Sequence, residues 1–423
     1  MTNLTVPPFR NEPLIDYNNP ASRQAMAAAL ASVKAQLGQT YPLVIGGEDI
    51  YLDDTLVSVN PANPDEIVGR FAKATVELGN QAIEAAAKAF ATWQYVPAAE
   101  RAAIVLRGAD LLRQRKHEFS AWMVYEVGKS WPEADADTAE TIDFLEYYAR
   151  QMLRLAGPQD LVRIGGEDNS LEYVPLGVGV VIPPWNFPGA IMAGMSAAAI
   201  VSGNTVVLKP ASTSPVIAAQ FHRIMTEAGL PPGVFNFLVG PGGKIGDALI
   251  DHPKTRFVAF TGSMEVGLRI HERAAKTQPG QIWVKRTVLE MGGKDAVVVD
   301  ESADLDAAAR GIVSSAFGFQ GQKCSAGSRA IIHERVYDQI LPKILTEADK
   351  ITVGDPTDPS TYMGPVVDNK AFDKLGVAGY GFSPMRLPAD LDFTALFHGV
   401  DERIPVDALA FGVRVLDRLI RTC

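Results

Sequence analysis

The chain has 423 residues, 47% of them hydrophobic and 21% charged, which is typical of a soluble globular protein with two or three domains. Its net charge of −10, with no basic run, makes nucleic acids and anionic membranes poor candidates as partners. Only two cysteines are present, Cys324 and Cys423, so we expect no disulfide framework and a reducing, cytoplasmic location.

The first 150 residues are expected to be mostly helical. Apolar residues recur at helical spacing in four segments, 21–37, 75–92, 98–118 and 133–153. A short extended piece is predicted at 41–45. Further along, two β-rich runs flank a Gly165-Gly166 turn, and this pattern predicts a β-hairpin over 159–175.

The N-terminus has neither the basic region nor the apolar stretch of a secretory signal. The most apolar segment, 178–201, is interrupted by Pro183, Pro184 and Pro188. Lipid could not satisfy the backbone groups that such prolines free, so this segment is expected to lie in the protein core.

From residue 178 onward, short β-rich runs alternate with helical segments. The predicted strands are 178–182, 205–208, 234–239, 257–260, 282–289 and 296–299, and the helices between them are 189–201, 214–228, 243–250, 264–276 and 303–317. This alternation predicts βαβ units and a mostly parallel, doubly wound sheet. Ligands bind such sheets outside the carboxyl ends of the strands, so the residues that follow each strand are candidates for a cofactor site.

Three small-residue motifs follow predicted strands. The segment 260–263 (Phe-Thr-Gly-Ser) opens a helix, where free N–H groups could bind a diphosphate. The segment 209–212 (Lys-Pro-Ala-Ser) follows the strand 205–208 directly. The glycine cluster 239–246 does not have the spacing of a dinucleotide fingerprint. Taken alone, each motif is more typical of a turn than of a binding site.

Three residues are candidates for catalysis. Cys324 lies in the polar segment 320–326, although a lone cysteine is often a small core residue. Asn186 stands between Trp185 and Phe187 in a proline-flanked segment that could be a simple turn. Glu290 ends an apolar run, where a solvated strand end is the alternative. The six histidines are scattered without ligand spacing, so no metal site is expected.

The motifs at 184–188, 260–263, 289–294 and 320–326, in this order, resemble the aldehyde dehydrogenase superfamily from about residue 9 to residue 372. The resemblance implies a doubly wound NAD-binding domain over 1–289, with a bridging hairpin at 159–175, and an α/β catalytic domain over 290–374. It also implies that Cys324 is the nucleophile, forming a thiohemiacetal and then a thioester. The Asn186 amide and the Cys324 N–H would bind the oxyanion. Glu290 would be the general base, in dry surroundings.

The resemblance implies NAD as the cofactor. The implied binding residues are Ile182, Pro183, Trp185, Lys209, Ala211, Ser212, Gly242, Thr261, Gly262, Ser263, Val266, Met291 and Gly292. An acidic residue in place of Ser212 would repel a 2′-phosphate, whereas the neutral serine leaves NADP open.

Within the superfamily the chain is most similar to the group that oxidises L-glutamate 5-semialdehyde to L-glutamate in proline degradation. The segments 9–13, 41–47 and 322–326 carry this similarity. It implies that Phe187 packs on the aliphatic part of this small-molecule substrate and that Ser325 binds its α-carboxylate. Glu140 would face the entrance, or belong to a salt-bridged helix surface. Another semialdehyde, such as succinate semialdehyde, is the alternative substrate.

The resemblance ends near residue 374, and 375–423 read like a shifted reading frame and receive no assignment. The family's Glu-Ile-Phe-Gly-Pro stretch, which holds the nicotinamide ribose, and its last strand, which joins the hairpin across subunits, are missing. We therefore expect an incomplete catalytic domain, and the homo-oligomer of the family is in doubt. A remnant that only binds dinucleotide is the alternative to an active enzyme.

Overall fold

A mixed sheet of seven strands organises the part of the chain that the computed structural model describes, which is Leu4 and residues 6–368. In chain order the strands are β1 (Gln39–Tyr41), β2 (Leu43–Ile45), β3 (Glu48–Ile50), β4 (Thr55–Asn60), β5 (Asn63–Ala72), β6 (Val178–Ile182), β7 (Thr205–Leu208), β8 (Phe235–Phe237), β9 (Thr255–Thr261), β10 (Arg286–Glu290), β11 (Asp295–Val299) and β12 (Gly327–Ile332). The large sheet has the order β10-β9-β6-β7-β8-β2-β3. Strands β10 to β8 are parallel, and β2 and β3 add an antiparallel edge.

The helices cover both faces of this sheet and the segments around it. They are α1 (Pro20–Lys34), α2 (Val76–Trp93), α3 (Ala98–Gln114), α4 (Lys116–Val127), α5 (Trp131–Leu155), α6 (Ala190–Val201), α7 (Pro215–Glu227), α8 (Gly242–Asp251), α9 (Met264–Ala274), α10 (Leu305–Phe317) and α11 (Glu334–Ala348). The predicted doubly wound α/β class is confirmed. The predicted helix 98–118 is wrong in one respect, because α3 ends before Arg115, whose φ of −111° lies outside the helical range, and α4 begins after it.

The strand order changes direction beside β6. The chain passes from β6 to β7 and β8 on one side, then crosses to β9 and β10 on the other. The side chains of β7 are all buried, as are the first four residues of β6, because helices cover both faces of these central strands. The carboxyl ends of β6 and β9 thus flank the switch point, where doubly wound sheets form their ligand crevice.

The N-terminal region contains more β-structure than its sequence predicts. Strands β1, β5 and β4 form a separate three-stranded sheet, with β5 paired parallel to β1 and antiparallel to β4. The expectation of a mostly helical first half missed β3, β4 and β5. The first residues of β5 are polar and exposed and include Pro64, so they show no alternation of apolar and polar residues.

The predicted hairpin at 159–175 does not form. The segment turns at its centre, where the Glu167 N–H donates to the Ile164 carbonyl at 3.2 Å, but its two arms share no ladder. Val162 is 88% exposed and Val174 is 75% exposed, so neither arm has an apolar surface to pack against. The strand prediction is wrong because an isolated two-stranded hairpin has marginal stability in water.

Strands β11 and β12 form a parallel pair covered on one face by α10 and α11. Val299, Ala309, Val336 and Ile340 make a small core there. The opposite face is open, with Val298 72% and Ile331 56% exposed. The tail 375–423 and its helix-like segment 408–421 lie outside the described residues, and the division at residue 289 remains a prediction. None of the described helices combines the length and apolarity needed to cross a bilayer.

Candidate active site

The predicted cofactor residues converge on the carboxyl edge of the parallel strands. Ile182 ends β6 beside Phe260 of β9, and Glu290 ends β10 beside Thr261. The Gly262 N–H donates to the Glu290 carbonyl at 3.0 Å, which extends the β9–β10 pairing past the last ladder residue. The segments that follow β6, β7, β9 and β10 therefore meet at one edge, as the sequence predicts.

Lys209 follows β7 at this edge and is buried. Its N–H donates to the Val181 carbonyl at 2.9 Å, and its ammonium donates to the Pro210 carbonyl at 3.2 Å. Burial lowers the pKa of Lys209 to about 8. No carboxylate of the described residues pairs with this ammonium, so it has free donors beside the half-buried Ala211 and Ser212. Such a group suits the hydroxyls of a ribose.

The start of α9 has the character of an anion site. Ser263 is the N-cap residue, yet its side chain makes no capping hydrogen bond, so the first N–H groups of α9 lack a side-chain acceptor. A Cβ atom on Gly262 would lie 2.6 Å from the Phe260 ring, so only glycine fits there. A Cβ atom on Gly267 would lie 2.7 Å from the Met291 sulfur, which shows how closely α9 packs on the segment after β10. These features fit a diphosphate.

Two further predicted cofactor residues lie more openly. Gly242 begins α8 and has no atom within 4 Å of where its Cβ would be. Val266, in the first turn of α9, is exposed. Both residues are open to a dinucleotide, but their contacts do not by themselves indicate that one binds there.

Asn186 and the Cys324 loop are in direct contact. The Asn186 side-chain amide donates to the Gln322 carbonyl at 2.8 Å, although 136 residues separate the two positions. Gln322 is buried, and its own side-chain oxygen accepts from the Val367 N–H at 3.1 Å. Cys324 itself is a free, exposed thiol. The amide of Asn186 has two N–H groups, so one of them is not used by the Gln322 carbonyl.

The strand end that carries Glu290 also approaches the cysteine. A Cβ atom on Gly293 would lie 2.7 Å from the Cys324 carbonyl oxygen. The Glu290 side chain, however, is exposed. The prediction of dry surroundings is therefore wrong in the described part of the chain. Strand β10 is the edge strand of its sheet, and its residues alternate between exposed and half-buried.

The predicted substrate residues lie on the same side of the loop. The Phe187 ring stands 4.2 Å from the Lys129 ammonium and 6.0 Å from that of Lys323. Ser325 is exposed next to the thiol. Glu140 lies on the outer face of α5, where partial burial and then the charge of Asp137 raise its pKa. The alternative of a salt-bridged surface is not supported, because none of the ion pairs in the described region includes Glu140.

Some residues at the site were not predicted from the sequence. Lys129 and Asp137 form a fully buried ion pair of 2.9 Å beside Phe187. A signal was available, because Lys129 follows a glycine between two helices and Asp137 stands in an otherwise buried helix face. No group of three metal-binding side chains occurs among the residues described. An open surface depression of about 490 Å³ lies elsewhere, between α1, the start of α5 and residues 357–359.

Comparison with known proteins identifies the class. Residues 51–378 match the aldehyde dehydrogenase family. The chain belongs to this family, and the prediction made from its motifs is confirmed.

Individual relatives are more specific. A 1-pyrroline-5-carboxylate dehydrogenase of Geobacillus kaustophilus (strain HTA426) is 57% identical over 370 residues, covering 88% of this chain and 72% of that protein. The crystal structure of 1-pyrroline-5-carboxylate dehydrogenase from Thermus with bound NAD is 50% identical, with a TM-score of 0.84 over 87% of this chain and 71% of that one. The crystal structure of proline utilization A from Bdellovibrio bacteriovorus is 46% identical, with a TM-score of 0.86 over 90% of this chain and 40% of that one.

Proposed function

We propose that the chain catalyses the NAD-dependent oxidation of L-glutamate 5-semialdehyde, formed from 1-pyrroline-5-carboxylate, to L-glutamate. The similarity to 1-pyrroline-5-carboxylate dehydrogenases supports this substrate and a place in proline degradation. The observation that carries the proposal is the hydrogen bond from the Asn186 amide to the Gln322 carbonyl, which brings an oxyanion donor next to Cys324.

The first step belongs to Cys324. Its thiolate sulfur adds to the aldehyde carbon, the carbonyl π electrons move to the oxygen, and the oxyanion of a thiohemiacetal results. The free N–H of the Asn186 amide and the backbone N–H of Cys324 stabilise the developing negative charge. Each such donor contributes about 3 kcal/mol to the stability of the transition state.

The dinucleotide is held at the carboxyl edge of the sheet. Lys209 and Ser212 would bind the adenine ribose, and Ser263 with the first N–H groups of α9 would bind the diphosphate. When bound, NAD supplies the hydride acceptor that converts the thiohemiacetal of Cys324 to a thioester. The Lys209 ammonium has no paired carboxylate in the described region and suits the ribose hydroxyls. The start of α9 has no side-chain cap and suits the negative charge of the diphosphate.

Glu290 completes the reaction as general base. It ends β10 two residues before the Gly292-Gly293 segment that approaches Cys324, so the strand end that carries the carboxylate lies near the nucleophile loop. It would take a proton from the water that attacks the thioester carbon, and L-glutamate would leave with release of the thiolate.

The substrate is held at its methylene groups and at its α-carboxylate. Phe187 would pack on the methylene groups, and Ser325, next to the nucleophile, would donate to the α-carboxylate. Glu140 stands at the outer side of α5, near the same loop. Succinate semialdehyde is a shorter substrate that lacks the amino group, and nothing in the described site favours it.

Steady-state NADH formation with both aldehydes tests the proposal. The Cys324→Ala variant should lose turnover completely, whereas Cys423→Ser should retain it, because the family resemblance assigns the reaction to Cys324 alone. Asn186→Ala should reduce kcat by about 10² to 10³-fold. Turnover of succinate semialdehyde equal to or better than that of glutamate semialdehyde would refute the substrate assignment. Dinucleotide binding without any turnover would instead identify a remnant that only binds NAD.

Location and assembly are part of the proposal. A cytoplasmic location is supported by the exposed thiol of Cys324, which needs reducing surroundings to stay free. A homo-oligomer is proposed from the family alone, and its test is the molar mass of the chain in solution.

A further inference from the structure

Lys129 is a buried lysine between two aromatic rings. Its side chain has no exposed surface, and its ammonium lies 4.2 Å from the centre of the Phe187 ring and 4.5 Å from that of Phe319. The two rings come from different segments, since Phe187 follows Asn186 and Phe319 precedes the Cys324 loop. A cation held between two ring faces attracts both, so Lys129 links the two segments.

Asp137 fixes this lysine from the other side. One carboxylate oxygen accepts from the Lys129 ammonium at 2.9 Å, and the other accepts from the Ala190 N–H at 2.6 Å. Ala190 is the first residue of α6, which begins just after the Asn186–Phe187 segment, and its N-cap residue Gly189 has no side chain to cap it. Asp137 therefore caps α6 and neutralises Lys129 at the same time.

The segment around Phe319 needs such support. Phe319 and Gln320 both have left-handed backbones, with φ of 46° and 57°. Non-glycine residues rarely adopt this conformation, and surrounding contacts must hold it in place. Gln320 donates to the Pro365 carbonyl at 2.6 Å and to the Gly128 carbonyl at 3.3 Å, while the Phe319 ring rests on Lys129.

We propose that Lys129, held by Asp137, is a positioning residue that fixes the oxyanion donor Asn186 relative to the nucleophile Cys324. The inference rests on the proposed function and specifies how its two reacting groups are kept in register. A buried ion pair contributes little net stability compared with apolar residues of the same size. Its presence here is explained if it fixes the segments of Phe187 and Phe319. A displacement of about 1 Å between reacting groups can reduce a rate by about 10²-fold.

The test removes both charges together, so that neither is left buried alone. The Lys129→Met/Asp137→Asn variant is compared with Lys116→Met/Asp135→Asn. The control pair is also buried, with 3.2 Å between its charged atoms, and its acidic partner also lies on α5. Within the described region, no hydrogen bond or ion pair given for Lys116 or Asp135 reaches the segments of Asn186 or Cys324.

Two measurements are made on the full-length chain. Hydrogen–deuterium exchange of peptides covering 318–324 should become about tenfold faster in the Lys129/Asp137 variant and stay unchanged in the control. The kcat with glutamate semialdehyde should fall by about tenfold or more, while the KM for NAD changes by less than about twofold. Because partial unfolding would also lower the apparent kcat without changing KM, kcat is expressed per folded chain, with the folded fraction taken from urea unfolding of each variant.

The outcomes separate the two proposals. Equal effects in both double variants, or unchanged exchange at 318–324, would overturn the positioning role. If the wild-type chain shows no turnover, the proposed function fails, but the exchange measurement still tests the linkage. If the first variant does not fold, Lys129→Arg, which keeps a cation that can stack on aromatic rings, decides the question. Its exchange at 318–324 should stay within about twofold of the wild type, and a larger rise would contradict the proposal.

Discussion

Replacing Lys209 by methionine should stabilise the ligand-free protein and weaken its binding of NAD. Burial lowers the pKa of Lys209 from its ordinary 10.5 to about 8. One pKa unit corresponds to about 1.36 kcal/mol, so the charged ammonium costs the folded state about 3 kcal/mol at pH 7. Methionine has a similar length and no charge, and it loses only the hydrogen bond to Pro210, worth about 1 kcal/mol. The net gain in free energy of unfolding is about 2 kcal/mol.

The stabilisation by Lys209→Met should depend on pH in a definite direction. The folded protein binds the lysine proton less tightly than the unfolded chain does. The cost is therefore fully present below pH 8 and disappears as the pH rises from about 8 towards 10.5. Urea unfolding at pH 7 and at pH 9.5 should show a large advantage of Lys209→Met at the lower pH and a smaller one at the higher pH.

Lys285→Met is the matched control. Burial lowers the pKa of Lys285 to about 8 as well, and its ammonium donates to a single carbonyl, that of Ile250. Lys285 precedes β10 and so lies at the amino end of the sheet, away from the cofactor edge. Titration with NAD should show at least about tenfold weaker binding in Lys209→Met and no change in Lys285→Met, a difference of about 1.4 kcal/mol. Unchanged NAD binding by Lys209→Met, or a lower stability of this variant at pH 7, would contradict the expected role of Lys209.

Three further predictions concern specificity, packing and pH. Ser212→Glu should reduce kcat/KM with NADP by about tenfold relative to NAD, because the added carboxylate repels a 2′-phosphate; equal losses with both dinucleotides would count against this. Gly179→Ala should cost about 3 kcal/mol in urea unfolding, since its Cβ would lie 2.1 Å from the Phe257 ring, whereas Gly165→Ala, in open space, should be neutral. Burial raises the pKa of Glu126 to about 7 despite hydrogen bonds from Ser58 and two α7 N–H groups, so its contribution to stability falls as the pH rises from about 4.5 to 7. Glu126→Gln should lack that dependence, and an unaltered profile would exclude Glu126 as its source.

The second half of the fold was predictable because each of its elements is encoded locally. The apolar runs of β6 and β7 are buried on both faces, and helices of ordinary length separate them. Because the strands are parallel, Lys209 after β7 and Ser263 after β9 are predicted to lie at the same edge of the sheet.

Three features of the fold depend on long-range contacts that the local sequence pattern does not indicate. The strands β4 and β5 are partly exposed and begin with polar residues, so the pairing of β5 with β1 and β4 is set by the fold. The segment 159–175 has a turn and apolar arms but no surface to pack on. The exposure of Glu290 follows from the position of β10 at the sheet edge.

The Lys129–Asp137 pair is the most important feature of the site that the sequence did not predict. Eight residues separate these positions, but the rings they align come from positions 187 and 319. Sequence periodicity identifies the buried face of α5 without showing which distant segments cover it. Only the three-dimensional structure shows that this one charge contacts both halves of the reacting site.

The most direct test of the account is intact-mass analysis of Glu290→Gln after brief exposure to NAD and glutamate semialdehyde. Without the general base, the thioester should form but hydrolyse slowly, so a covalent adduct should accumulate on Cys324. The same treatment of a Glu290→Gln/Cys324→Ala variant should give no adduct. Absence of any adduct on Cys324, together with unimpaired turnover by Glu290→Gln, would contradict the proposed roles of both residues.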